Sequence, residues 1–150
     1  MSHVVSSPVI ITNIECLKRA LAKFPKLKFI EGAKTYEWWG RWENDYAKED
    51  AAYKLGIDPS QYGKCEHKLH MDGVEYEIGI CKRKDGQGWS PVWDFVSDGY
   101  KLSAYIGDGA EKLMSEYSRQ FVLMHAEQEG LSCSQQETED SIVLEMEVQA

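Results

Sequence analysis

The chain contains no long apolar run. Stretches such as Phe121 to Met124 fall far short of the ~20 apolar residues needed to span a bilayer, so no membrane span is expected. The N-terminus shows no basic flank followed by an apolar core, so no secretory leader is expected. Only four cysteines are present, at 16, 65, 81 and 133, too scattered for a disulfide framework. We therefore expect a reducing, cytoplasmic setting, with Cys16 as a core thiol on a helix. Bases are also scarce: 17 Lys and Arg face 25 Asp and Glu, for a net charge of −8. A chain so acidic is a poor ligand for duplex nucleic acid, which needs clustered bases to displace counterions. No repeat recurs at solenoid spacing. There is no Gly-Lys-Ser/Thr phosphate loop, no serine elbow and no paired metal motif.

What remains is ordinary globular material. The 150 residues suit one domain. They are 43% hydrophobic and 28% charged, with five Trp and eight Tyr, which excludes a disordered chain. The charge is uneven. Residues 1–35 hold Lys18, Arg19, Lys23, Lys26, Lys28 and Lys34 against Glu15 and Glu31, whereas after Lys112 the only base is Arg119. Two solvated faces of one domain account for this; head-to-tail self-association or a basic partner is the sharper alternative.

Val4 to Ile11 reads as a first strand, with Pro8 marking a kink or its true start. Thr12-Asn13-Ile14-Glu15 reads as a capping box. Ile14, Leu17, Leu21 and Phe24 then follow at helical spacing, and Pro25 closes the helix. Leu27 to Ile30 is extended again, and Lys34 to Trp42 is read as a continuation of the sheet. A polar, aromatic-rich insertion occupies about 36–64, with one short helix near Ala51–Leu55. Cys65 to Met71 alternates, Asp72-Gly73 is a hairpin turn, and Val74, Tyr76, Ile78 and Ile80 alternate again. Trp89 to Val96 is a further strand, whose Pro91 predicts an edge or a bulge. A long helix should start at the Asp108-Gly109-Ala110-Glu111 cap. Its stripe is Ala110, Leu113, Met114, Tyr117, Phe121 and Met124, and Gly130 ends it. Ser141 to Val148 is a last strand. The expected fold is α+β: an antiparallel sheet of about five or six strands with two main helices on one face, an elaborated ferredoxin-like topology being one candidate.

Met1-Ser2-His3, Tyr76-Glu77-Ile78-Gly79, Gly88-Trp89, Trp93-Asp94, Tyr117-Ser118-Arg119-Gln120 and Ser141-Ile142-Val143-Leu144 together resemble the hypothetical chloroplast open reading frame thirty-five family. That family occurs in plastids, cyanobacteria, other bacteria and phages. The resemblance spans roughly residues 1–35 and 65–148. This chain departs from the family at Val4, where an aromatic is common, and in its long polar insertion. The family has no established activity. The resemblance implies a small α+β protein, and its phage members imply a phage accessory or host-interaction role.

Four constellations could carry chemistry. In Tyr36-Glu37-Trp38-Trp39-Gly40-Arg41-Trp42, the three tryptophans cannot share one strand face. One should lie near the surface, as part of a platform that stacks a ring beside Arg41. Lys82-Arg83-Lys84 could grip phosphates or acids, although an ordinary solvated turn has the same sequence. Gly107-Asp108-Gly109 opens a helix as a phosphate site would, but Asp108 is expected to take the amides itself as a plain cap. Cys65, His67 and His70, with Cys81, are the nearest approach to a metal set. Their spacing is not a zinc pattern, and alternation puts His70 on the opposite strand face. No metal or other cofactor is expected.

The leading expectation is a non-enzymatic binding protein using Tyr36, Trp38, Trp39, Arg41, Trp42, Lys82 and Arg83. It would sequester a nucleotide-like small molecule or modulate a protein partner. The alternatives are a small hydrolase pairing His67 or His70 with Asp94, and an oligomeric structural or adaptor protein acting through strand edges.

Overall fold

The computed structural model describes residues 4–38, 51–94, 99–137 and 142–148. Five strands form one antiparallel sheet: β1 (Val4–Ser6), β2 (Leu27–Glu31), β3 (His67–Met71), β4 (Ile78–Lys82) and β5 (Trp89–Asp94), in the order β1-β5-β4-β3-β2. Around it lie α1 (Ile14–Ala20), the short α2 (Ala51–Lys54), α3 (Gly99–Ile106) and α4 (Glu111–Gln128). The α+β class is as expected. The ferredoxin-like candidate is not: its split β-α-β unit keeps the two parallel strands one strand apart. Here β1 and β2 lie at opposite edges of the sheet, with β5, β4 and β3 between them. The last strand also departs from expectation. β7 (Ile142–Val148) pairs with β6 (Leu131–Glu137) in a separate two-stranded sheet, in register from Leu131↔Val148 to Glu137↔Ile142.

The helix side of the sheet carries the main core. Leu27, Leu69, Met71, Ile78, Ile80 and Trp93 meet Cys16, Leu17 and Ala20 of α1, Leu102 and Ile106 of α3, and Leu113, Met114 and Tyr117 of α4. The Trp93 indole N–H donates to Ser103 Oγ at 2.8 Å, so its burial leaves no orphan donor. Cys16 is fully buried, as its helix position requires. Phe121, placed in the predicted stripe, is among the exposed large apolar side chains and stacks on His125.

The α1 cap differs from the capping box by one residue. Asn13, not Thr12, is the N-cap, and its side chain accepts from the Cys16 amide at 3.2 Å. The reason lies far along the chain. Tyr117 Oη on α4 accepts the Thr12 amide at 2.9 Å and the Asn13 amide at 3.2 Å, which fixes where the turn begins. Tyr117→Phe removes this acceptor while keeping the ring. It should cost about 1 kcal/mol in urea unfolding at an unchanged m-value. A stability equal to wild type would mean that water replaces the hydroxyl without loss.

Charge pairing also ties α1 and the turn that follows it to α4. Lys23 meets the buried Glu116 at 3.3 Å, and Arg19 meets Glu127 at 3.5 Å. Part of the uneven charge is therefore closed within the chain. Asp108, expected to cap the long helix, does not do so. Ala110 is the N-cap, in the left-handed region (φ 60°), and among the described residues no side chain caps the amides. Gly107 and Gly109, both with positive φ, break α3 from α4 in what reads from sequence as a single start.

Pro91 lies in an interior strand, opposite Ile80. The chain on its other side explains how it is tolerated. Ser6 pairs with Val92 and Ile11 bridges to Trp89, so residues 7–10 face only residues 90–91. Trp89 exchanges both backbone bonds with Ile11, so alternation turns the Pro91 nitrogen toward this bulge, where no ladder acceptor is required. The break in pairing that Pro91 needs is thus supplied by residues 7–10 of the neighbouring segment, not by the edge position or bulge expected of β5 itself.

Candidate functional site

Alternation gives the sheet a second face, opposite the helices. Gly79 and Cys81 of β4, Ser90 and Val92 of β5, and Val4 and Ser6 of β1 share it, because Gly79 pairs with Val92 and Cys81 with Ser90. The described part of the insertion covers this face. Tyr36, Ala52, Ile57 and Tyr62 form a second small core with Val4, Cys81 and Val92.

Tyr36 sits on Gly79. A Cβ at Gly79 would fall 2.5 Å from Tyr36 Cε1, closer still to Cδ1, and 2.9 Å from Cys81 Sγ. Burial pushes the Tyr36 hydroxyl well above the ordinary tyrosine range, so it stays protonated. The backbone ties this strap down on both sides: the Tyr36 amide donates to Gly63 O at 3.0 Å, and Glu77 N donates to Glu37 O at 2.9 Å. Trp38 is half-buried at the rim. It meets Tyr62 edge-on at 5.6 Å and lies against Gly63, whose φ of 83° and lack of a Cβ both suit that contact. Trp39, Arg41 and Trp42 lie outside the described residues.

The basic turn is divided. Lys82 is exposed and pairs with Trp89, which puts it on the helix face with Ile80, away from Tyr36. Arg83 is turned inward, its side chain only 12% exposed. Its guanidinium donates to Leu55 O at 2.8 Å and Ser90 Oγ at 3.0 Å, contacts Asp85 at 3.1 Å, and lies against Gly56. Arg83 is thus a clamp that holds the end of α2 to the β4–β5 hairpin. Lys84 lies over the Tyr53 ring at 5.2 Å.

The second face also carries a polar cluster absent from the sequence expectations. Glu77 is buried and accepts from the Glu37 amide at 2.9 Å and Lys68 Nζ at 3.0 Å, with His70 Nδ1 at 3.0 Å. Burial works to raise the Glu77 pKa. The Glu37 amide, the Lys68 ammonium and His70 outweigh it and hold the carboxyl below the usual glutamate range. Asp72, 3.6 Å from His70 Nε2, is held low by Lys28. The carboxylates placed against His70 are thus Glu77 and Asp72, whereas Asp94 lies on β5, two strands away. His67 faces the helix side, opposite Ile80, and accepts the Gly32 amide at Nδ1. The faint signal for this cluster was a glutamate sharing the small-residue face of β4 with Gly79 and Cys81.

The cysteines of the metal candidate serve as donors. Cys81 Sγ lies 3.2 Å from Lys64 O, and Cys65 Sγ lies 3.5 Å from Ala33 O. Burial pushes the Cys65 thiol up to about 11 and raises Cys81 well above the usual thiol range, which disfavours the thiolate a metal needs. Among the described residues no group of three or more His, Cys, Asp or Glu side chains is placed to hold a metal ion. No described helix is long and apolar enough to cross a membrane. No protein-family model matches the chain, and neither a curated protein nor a solved structure was found that matches it.

Proposed function

We propose that the protein is a non-enzymatic binding protein whose contact element is the aromatic segment that begins at Tyr36 and Trp38. One observation carries this reading. Tyr36 is spent on the second core, and Trp38, packed against that core beside Tyr62 and Gly63, keeps part of its side chain exposed. A ring held by core packing on one side and open on the other is suited to stacking on a partner. The Arg83 clamp weakens the case for an anion grip at the basic turn and favours a protein partner over a nucleotide-like ligand. The resemblance to a family with phage members supports a phage-encoded modulator of a host protein.

Tryptophan fluorescence during titration with ATP separates the two ligand classes. Saturable quenching that Trp38→Ala weakens about tenfold or more would put a nucleotide on the platform. A silent titration, with a cross-linked protein partner captured by wild type and lost in Trp38→Ala, supports the protein-partner reading. Capture indifferent to Trp38→Ala, together with a silent titration, would remove the segment from the function.

A further inference from the structure

On the helix side of the sheet, away from the aromatic insertion, three rings from three different strands form a row: Phe29 of β2, His67 of β3 and Trp89 of β5. Phe29 and His67 stack with centroids 5.3 Å apart, and His67 and Trp89 are 6.1 Å apart, tilted by 59°. All three are half-buried. The Gly32 amide, donating to His67 Nδ1 at 3.1 Å, fixes the middle ring. Carboxylates flank the row. Glu66, exposed, accepts the Trp89 indole N–H through Oε2 at 2.7 Å. At the other end, the Lys18 ammonium lies 5.4 Å from the Phe29 centroid, with Glu15 at 3.3 Å and Glu31 at 3.6 Å. One cation is thus already seated there, with a ring beneath it and carboxylates beside it. Trp89, the ring type that attracts cations most strongly, has the carboxylate of Glu66 beside it; Lys82 is its exposed cross-strand partner on the same face, but no cation lies over the ring among the described residues.

We propose that the Phe29–His67–Trp89 row, with Glu66, is a docking surface for a basic segment of a partner protein. An arginine side chain would take at Trp89 and Glu66 the place that Lys18 takes at Phe29. Arginine fits better than lysine, because its planar guanidinium can lie on a ring while its edge donates to a carboxylate. The net charge of −8 draws such a segment in. This surface is separate from the Tyr36–Trp38 segment and stands or falls independently of it.

The test is calorimetric titration of the full chain with an acetylated, amidated tetra-arginine peptide at low salt. Glu66→Gln keeps an acceptor for the Trp89 indole and removes the charge. It should weaken binding about three- to tenfold. Asp108→Asn removes one exposed charge elsewhere and should leave binding as in wild type. Lys18→Met vacates the seat over Phe29 and frees Glu15 and Glu31, and should tighten binding. If Glu66→Gln and Asp108→Asn weaken binding equally, the peptide reads only the overall charge and the site is wrong. Absence of saturable binding by the wild type overturns it as well.

Discussion

Replacing Gly79 with alanine should destabilise the protein by about 1–3 kcal/mol, the usual cost of forcing one extra carbon into a filled core. For a chain of this size, each kcal/mol corresponds to roughly 2–4 °C of melting temperature. The added Cβ would lie 2.5 Å from Tyr36 Cε1 and 2.9 Å from Cys81 Sγ, so one of them must move. Tyr36 has little room to give. Its own amide is bonded to Gly63 O, Thr35 bridges to Lys64, and Glu37 is bonded to Glu77 through both its N–H and its C=O. Any shift of the ring pulls on the whole strap. The sign is informative, because glycine within a strand normally costs stability relative to alanine, so a contact-free site would gain from the change. In a double-mutant cycle with Tyr36→Leu, the pair should cost less than the sum of the single changes, since the smaller side chain makes room for the new Cβ. A Gly79→Ala protein as stable as wild type would show that the ring does not rest on β4.

Which parts of this arrangement were legible in the sequence follows from the range of the interactions. The α1 stripe of Ile14, Leu17, Leu21 and Phe24, the alternation through β3 and β4, and Gly130 as a left-handed helix end are local patterns, and each is found close to where it was expected. The choice between Thr12 and Asn13 as cap was not local. It is settled by a hydroxyl more than a hundred residues away, at Tyr117. The pairing of β1 with β5, which departs from the ferredoxin-like candidate, is also non-local, as is the departure of β7 to pair with β6. Alternation states that a strand has two faces but not what covers the second. Gly79 and Cys81, small residues between the bulky Ile78 and Ile80, were the available hint that a ring lies on that side. The same reasoning applies to the candidate residues. Arg83 looked like a free base because sequence shows charge but not partners, and Leu55 O and Ser90 Oγ are supplied by other parts of the chain.

Glu77→Gln should lower stability by about 2–3 kcal/mol near pH 7 and flatten its fall in acid. The carboxylate has three partners: the Glu37 amide, Lys68 and His70. Hydrogen bonds to a charged group are worth about 1.5–3 kcal/mol each when buried. Lys68 and His70 retain some solvent access, which keeps the total well below the sum of three. The pH dependence follows from the direction of the shift. Folding holds the carboxyl below its unfolded value of about 4.3, so between the two values the unfolded chain binds more protons and stability rises with pH. The contribution is complete above the unfolded value and is lost as pH falls through the folded one. Glutamine keeps the side-chain shape and one acceptor but cannot titrate, so this part of the acid slope should vanish in the variant. Urea unfolding from neutral pH down to about pH 3 measures both quantities. Wild-type and Glu77→Gln curves that stay parallel through the acid limb would mean that Glu77 does not carry the acid sensitivity. The strap over β4 would then depend on Tyr36 and Gly79 rather than on this charge.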